Sequence, residues 1–172
     1  MGGRRSRLPL LVVAAWMAIA GATAPAHASG DRTVAPGHPD VRLRVVTAAE
    51  EVVVDVPLGE DGTWELVWTH SVAQVPVRDS FAWRRSMMWL TDHRTPYLDI
   101  AGLGHTPGSG ELRDDGEGGY WIADIDLRLA GDVHRFIIGS ASAPTTLLHA
   151  GRVHDLSASH PGVRARIEVI EP

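Results

Sequence analysis

The sequence predicts an all-β protein: a single compact β-sandwich or barrel-like domain of about nine short, mainly antiparallel strands after an N-terminal signal peptide. Three observations predict this fold class. Segments in which apolar and polar residues alternate recur along the chain, turn-forming residues separate them about every 8–12 residues, and helical periodicity is nearly absent. The 172 residues are enough for one globular domain and too few for two substantial ones.

The first 28 residues have the order of regions that is typical of a secretory signal peptide. Three arginines lie within the first seven residues, Leu8–Ala24 carries no charge, and Ala26-His27-Ala28 offers small residues at both positions that a signal peptidase reads. We therefore expect an exported protein, periplasmic or extracellular after cleavage near Ala28, with a flexible leader over residues 29–40 and a single β-rich domain over residues 41–172. An uncleaved segment that remains as a membrane anchor is the alternative.

The charge balance argues against two classes of partner. Loss of residues 1–28 removes three arginines and no acid, which leaves 13 basic against 21 acidic residues and a net charge of −8 with the histidines neutral. Nucleic acid and anionic lipid both require a basic face, and no stable membrane span remains after cleavage. Because the chain has no cysteine, the core must stabilise the exported domain without disulfides.

Strand signals begin just after the leader. Val41–Val45 alternates apolar and charged residues, which is the pattern of a half-buried strand. Val52–Val56 is rich in β-branched residues and ends at a proline, and Gly59–Gly62 supplies a turn. Thr63–His70 alternates again, with two tryptophans and a leucine on one face. The beginning of the domain therefore predicts three strands.

The middle of the domain is the least regular part of the pattern. Pro76 interrupts Val75–Val77, so a strand there is expected at a sheet edge or after the proline. Phe81–Leu90 suits either a strand or a short helix that carries two methionines and two tryptophans. The glycines of Ala101–Gly108 then predict a long loop.

The last part of the domain returns to short strands and polar turns. Asp114–Gly119 predicts a turn, and the broken alternation after it indicates a strand with a bulge. Ala150-Gly151 predicts a hairpin turn that pairs His149 with Arg152. The strand segments predicted here are Tyr120–Leu127, Val133–Ile138, Thr145–His149, Arg152–Leu156 and Val163–Ile170.

His70-Ser71 closes the tryptophan-rich strand and is the first chemical candidate. Neighbouring strand residues point to opposite faces, so Ser71 would need another histidine to form a nucleophile pair. The structural interpretation is that Ser71 bonds to the turn backbone while His70 caps the strand end. The chain has no Gly-x-Ser-x-Gly elbow, and we assign no catalytic residue.

Eight histidines follow the predicted cleavage site, and neutral imidazole binds zinc and copper. None occurs in a His-Glu-x-x-His or similarly spaced pair. His149 and His154 lie on opposite arms of the predicted hairpin, but only as diagonal neighbours. Scattered surface histidines are therefore the favoured interpretation. The sequence requires no cofactor and leaves the identity of any cofactor or metal open.

Five segments of the chain form a set, namely Trp68–Val72, Pro76–Phe81, Ala101–Gly104, Tyr120–Ile122 and Leu147–Arg152. Together they resemble a bacterial family catalogued as domain of unknown function 1850. The most specific element is a His-Ser-Val after an aromatic strand, followed at the right distance by a Gly-Leu-Gly loop. The resemblance covers roughly residues 50–170. The chain departs from the family pattern at Ala73, which replaces a glutamate, and at Arg78-Asp79, which keeps one acid of a pair.

The resemblance implies a small exported protein whose neighbours are tripartite ATP-independent periplasmic (TRAP) transporters with a TAXI-type solute receptor. It therefore implies an accessory role in solute uptake, and it brings no established activity. The predicted binding residues, which map onto recurrent positions of the family, are His70, Ser71, Asp79, Gly102, Gly104 and His149.

Two functional hypotheses follow, and a structural envelope protein that binds no ligand is the third alternative. In the first, the protein binds rather than catalyses, and the loops at His70-Ser71 and Ala101–Gly108 contact a TAXI-type receptor, another transporter component or a small solute. In the second, it is a metal-binding protein or metal-dependent hydrolase in which His70 and His149 act with Asp79 or another acid. The second hypothesis requires these side chains to converge on one ion at ligand distances of about 2 Å.

Overall fold

The computed structural model describes residues 40–97, 110–116 and 118–172, which form two antiparallel β-sheets. The all-β, sandwich-like fold class predicted from the sequence is confirmed. The predicted signal peptide, the leader up to residue 39 and the glycine-rich loop with Gly102 and Gly104 lie outside the described residues. Within the described ranges, no helix is long and apolar enough to cross a membrane.

The described secondary structure consists of twelve strands and one short 3₁₀ turn, Ala130–Asp132. The sequence predicts about nine strands. Two of the additional strands are Glu111–Asp114, which the sequence pattern does not predict, and the second strand that results because the segment Tyr120–Leu127 divides in two. The strands are β1 (Arg42–Thr47), β2 (Val52–Pro57), β3 (Thr63–His70), β4 (Val75–Arg84), β5 (Met87–Thr95), β6 (Glu111–Asp114), β7 (Tyr120–Ala123), β8 (Leu127–Arg128), β9 (Val133–Ile137), β10 (Thr145–His149), β11 (Arg152–Asp155) and β12 (Arg164–Ile170).

The smaller sheet has the strand order β2-β1-β12-β9. The larger sheet follows the order β11-β10-β3-β4-β5-β7-β6, and β8 pairs with β5 beside that path. One hydrophobic core contains side chains from both sheets, as expected when two sheets pack face to face. Trp64 of β3 stacks on Phe81 of β4 with ring centroids 5.7 Å apart, and Leu43 and Ile167 of the smaller sheet are fully buried.

β4 is an interior strand of the larger sheet, so the expectation that its proline places it at an edge is wrong. Pro76 is the second residue of β4 and pairs with Thr69 of β3. The Thr69 N–H donates to the Pro144 carbonyl on the far side of β3, so the Thr69–Pro76 pair exchanges no hydrogen bond. Pairing with β5 begins only at Arg78, and the missing proline N–H therefore removes no bond from the sheet.

The ambiguous stretch Phe81–Leu90 is a β-hairpin, which excludes the short helix. β4 ends at Arg84 and β5 begins at Met87, and the two are joined by Arg85 and Ser86 with φ angles of 54° and 56°. A two-residue hairpin turn with positive φ at both positions matches the twist of the strands, and asparagine or glycine usually occupies it. Arginine and serine give no such turn signal, which explains the ambiguity.

The predicted hairpin around Ala150-Gly151 is confirmed. Its strands pair His149 with Arg152, and the two turn residues have positive φ angles of 47° and 72°. On its other side, β10 pairs with β3. This pairing fixes the position of His149 relative to the candidate residues at the end of β3.

Candidate functional site

His70 lies at the end of β3 and organises the turn that follows it. The ring Nδ1 accepts a hydrogen bond from the Ala73 N–H at 3.1 Å, and the His70 carbonyl accepts one from the Gln74 N–H at 2.7 Å. The ring also packs against Trp68, with ring centroids 6.2 Å apart. These contacts agree with the interpretation that His70 caps the strand end.

Ser71 is the exposed first residue of this turn. Its carbonyl accepts a hydrogen bond from the Gln74 side chain, whereas its hydroxyl bonds to none of the described residues. Val72 follows and is 86% exposed. The turn thus presents a serine hydroxyl and an apolar side chain to solvent, and the described contacts pair Ser71 with no histidine.

His149 is buried at the other end of the larger sheet. Its side chain is 5% exposed, and its Nε2–H donates to the Leu58 carbonyl at 2.6 Å. Leu58 comes directly after β2 and is itself fully buried. The hydrogen bond therefore ties the connection between β2 and β3 to strand β10.

The structure does not bring His70 and His149 together. Leu148 pairs with Glu65, so His149 lies beside the start of β3, whereas His70 is the last residue of that strand. About six strand residues separate the two positions, or roughly 20 Å at about 3.3 Å per residue. Across the described residues, no group of three or more histidine, aspartate or glutamate side chains is arranged to hold a metal ion. The metal hypothesis based on this pair therefore has no support.

Asp79 of β4 lies on the inward face of the larger sheet, between the buried side chains of Val77 and Phe81. Its Oδ2 accepts a hydrogen bond from the indole N–H of Trp68 at 2.8 Å, and its Oδ1 is 2.6 Å from Nδ1 of His93 on β5. The side chains of Asp79 and His93 are only 13% and 12% exposed. We call the three residues Trp68, Asp79 and His93 the Asp79 cluster.

The Asp79 cluster fixes both the orientation and the tautomer of His93. An ionised carboxylate only accepts hydrogen bonds, so Nδ1 of His93 carries the hydrogen and the neutral ring has its lone pair on Nε2. This Nε2 is buried and has no hydrogen-bond partner among the described residues. An unpartnered buried polar atom costs about 1–3 kcal/mol, so its presence requires an explanation.

His134 on β9 of the smaller sheet lies near Asp79. Its ring packs on Phe81, with centroids 4.8 Å apart, and on Phe136 at 5.9 Å. Burial lowers the pKa of His134, and the Asp79 carboxylate opposes this effect without cancelling it. The His134 ring is therefore neutral at neutral pH, and the buried carboxylate borders an uncharged aromatic part of the core.

Sequence reasoning identified Asp79 but missed its two partners. It counted His93 among the scattered histidines and placed Trp68 only on one face of a predicted strand. One signal was available, because Val77, Asp79 and Phe81 alternate on a single face and a carboxylate in an apolar row needs hydrogen-bond donors. The identity of those donors depends on the register of β4 against its neighbours.

Comparison with known proteins assigns these residues to a family. Neither a curated protein nor a solved structure matches the chain. The family profile described as Domain of unknown function (DUF1850) matches residues 64–156, more than half of the chain, and this range contains the whole Asp79 cluster and His149. The chain therefore belongs to the domain of unknown function 1850 family.

Proposed function

We propose that this protein is an exported, extracytoplasmic binding protein that holds a small solute at the Asp79 cluster and assists solute uptake. One observation carries the proposal: Nε2 of His93 is buried without a partner, although the other polar atoms of the cluster are hydrogen-bonded. A ligand that donates a hydrogen bond to this nitrogen would remove the cost of leaving it unpartnered. The proposal assigns no catalytic residue.

The Asp79 cluster has the rigidity that a binding site needs. Trp68 and His93 bond to different oxygens of Asp79, so the carboxylate can rotate only by breaking a hydrogen bond. The fixed carboxylate in turn orients the His93 ring, as carboxylates do for many ligand-binding histidines. A side chain that is already ordered loses little conformational entropy when a ligand binds.

The surroundings of His93 define the class of ligand. The lone pair on Nε2 requires a hydroxyl, amide or amine hydrogen from the ligand. The Asp79 carboxylate repels negative charge, and the neighbouring rings of Phe81 and neutral His134 supply no compensating cation. A small neutral or cationic solute with hydrogen-bond donors therefore fits this site better than an anion does.

A His93→Asn substitution tests the site. Asparagine keeps an N–H donor for Asp79 but has no counterpart of Nε2, so we expect the fold to persist and ligand affinity to fall about tenfold or more. Polyols, amides and amines are first screened by thermal shift on the wild-type protein, and calorimetry then gives the affinity of each hit.

His70→Asn is the matched control for this experiment. Its side-chain oxygen still accepts a hydrogen bond from the Ala73 N–H, and His70 takes no part in the hydrogen bonds of the Asp79 cluster. We expect it to bind the solute as the wild type does. Equal affinities for wild type and His93→Asn, or no hit in the screen, would overturn the proposed site.

The proposed role in uptake rests on the family resemblance, which implies a TAXI-type receptor or another TRAP transporter component as the partner. We propose the turn after β3 as the contact, because Val72 is 86% exposed there. A Val72→Asp variant should bind a purified TAXI-type receptor more weakly than the wild type while keeping its affinity for the solute. Unchanged receptor binding would exclude this contact.

The proposed localisation rests on the predicted signal peptide. Protein recovered outside the cytoplasmic membrane should begin at Ser29 when its N terminus is sequenced. An intact N terminus on membrane-bound protein would instead support the uncleaved anchor.

A further inference from the structure

We propose that the outer face of the smaller sheet binds an amphiphilic organic anion, a carboxylate attached to a short apolar chain. A groove of about 370 Å³ runs along β12 and β9 on this face, away from the Asp79 cluster. This volume lies within the usual range of small-molecule sites. The lining residues that matter here, which we call the arginine groove, are Arg135, Arg164, Arg166, Val46, Phe136 and Ile137.

The arginine groove concentrates positive charge on neighbouring strands. Arg135 of β9 lies directly opposite Arg166 of β12, and Arg164 is the diagonal neighbour two residues along β12. Like charges in directly opposed positions destabilise a sheet unless something neutralises them. The arrangement is notable because the chain as a whole carries a net charge of −5.

Only one of the three arginines is neutralised within the described protein. Arg166 bonds to both carboxylate oxygens of Glu50, at 2.8 and 2.6 Å, and to Glu168 at 2.7 Å, and these bonds raise its pKa. Arg135 and Arg164 are exposed and form no ion pair or hydrogen bond through their side chains with any described residue. Two guanidinium groups thus remain available for an external anion.

A carboxylate is the anion that these groups recognise best among organic ligands, because guanidinium and carboxylate can form two parallel hydrogen bonds. The rest of the arginine groove is apolar. Ile137 is 63% exposed although it lies on a strand, and the buried Val46 pairs with Arg166 on the same face of the sheet. Covering Ile137 with an alkyl chain would remove apolar surface from water at about 25 cal/mol per Å². Charge and apolar surface together therefore favour an amphiphile over an inorganic ion.

Titration calorimetry of the full protein with octanoate tests this inference. We expect saturable binding of octanoate, and we expect both octanol, which has the chain without the charge, and sulfate, which has charge without the chain, to bind at least tenfold more weakly. Sulfate binding as tight as that of octanoate, or no octanoate binding at millimolar concentration, would overturn the proposal.

Substitutions locate the binding to the arginine groove. The double variant Arg135→Gln/Arg164→Gln should lose about tenfold or more in octanoate affinity, whereas Arg152→Gln, another exposed arginine on β11, should lose none. Ile137→Ser should lose several-fold while keeping both charges. Unchanged affinity in the double variant would place octanoate elsewhere and refute the site. His93→Asn should keep full octanoate affinity, so this test is independent of the Asp79 cluster.

Discussion

The larger sheet contains two largely buried histidines, His149 on β10 and His93 on β5, and the two are bonded in different ways. His149 donates to the Leu58 carbonyl, and its ring has no buried nitrogen without a partner among the described residues. His93 bonds to the Asp79 carboxylate and leaves Nε2 buried and unpartnered. Both residues are almost inaccessible, so burial alone does not distinguish a structural histidine from a binding one.

The two histidines differ in the role that the hydrogen bond gives to the ring. A histidine that bonds to a backbone carbonyl joins two chain segments, and this completes its role at His149. A histidine that bonds to a carboxylate is oriented, and its second nitrogen is then presented in a fixed direction. By this criterion His93 is the better candidate for a ligand contact, although only His149 was among the residues predicted from the sequence.

Asp79→Ala should produce the largest effect, because it removes the acceptor for two buried donors. Trp68 and His93 would both lose their partner, which we expect to lower the free energy of unfolding by about 2–5 kcal/mol. Denaturant unfolding monitored by tryptophan fluorescence measures this loss. Asp155→Ala is the control, since Asp155 is exposed and its carboxylate accepts, from the residues that the structure describes, only the Ala158 N–H, and it should cost less than about 1 kcal/mol. Equal losses in the two variants would show that the two hydrogen bonds of Asp79 do not stabilise the fold.

His149→Phe should produce an intermediate effect on stability and none on solute binding. The phenyl ring fills much of the same volume, but the buried Leu58 carbonyl loses its donor, at a cost of about 1–3 kcal/mol. The contrast with His93→Asn is the critical result, since that variant should lose binding and keep most of its stability. If His149→Phe abolished solute binding while remaining folded, the distinction between the two histidines would be wrong.

The strands were predictable because alternation depends on each strand's own sequence. Thr63–His70 was predicted with its observed bounds, and the hairpin register that pairs His149 with Arg152 follows from a recognisable two-residue turn. Local pattern also suffices for the inward position of Asp79. These features require no knowledge of neighbouring strands.

The partners of Asp79 were not predictable, because they depend on how β4 pairs with its neighbouring strands. The turn at Arg85-Ser86 lacks the usual residues, and a bulge then shifts the β4–β5 register between Ser80 and Phe81. Counting back from the turn without the bulge would pair Asp79 with Asp92 instead of His93. Without the one inserted residue, two acids would face each other across the strands. With it, Asp79 pairs with His93 and forms the observed hydrogen bond.

A smaller effect is expected on the pH dependence of stability, through His134 of the smaller sheet, whose ring packs on Phe81. Burial holds the pKa of His134 below its ordinary value of 6.5, so between these two values the unfolded chain binds a proton that the folded protein does not. The free energy of unfolding should therefore fall as the pH decreases below about 6.5.

His134→Phe keeps an aromatic ring against Phe81 and Phe136 and removes this titration, so its melting temperature should fall less between about pH 7.5 and pH 5.5. Burial also lowers the pKa of His154, but that contribution is common to both proteins and cancels in the difference. If the melting temperatures of the wild type and the variant fell equally between these pH values, His134 would be protonated as easily in the folded protein as in the unfolded chain. The ring beside the Asp79 cluster would then not be held neutral by burial.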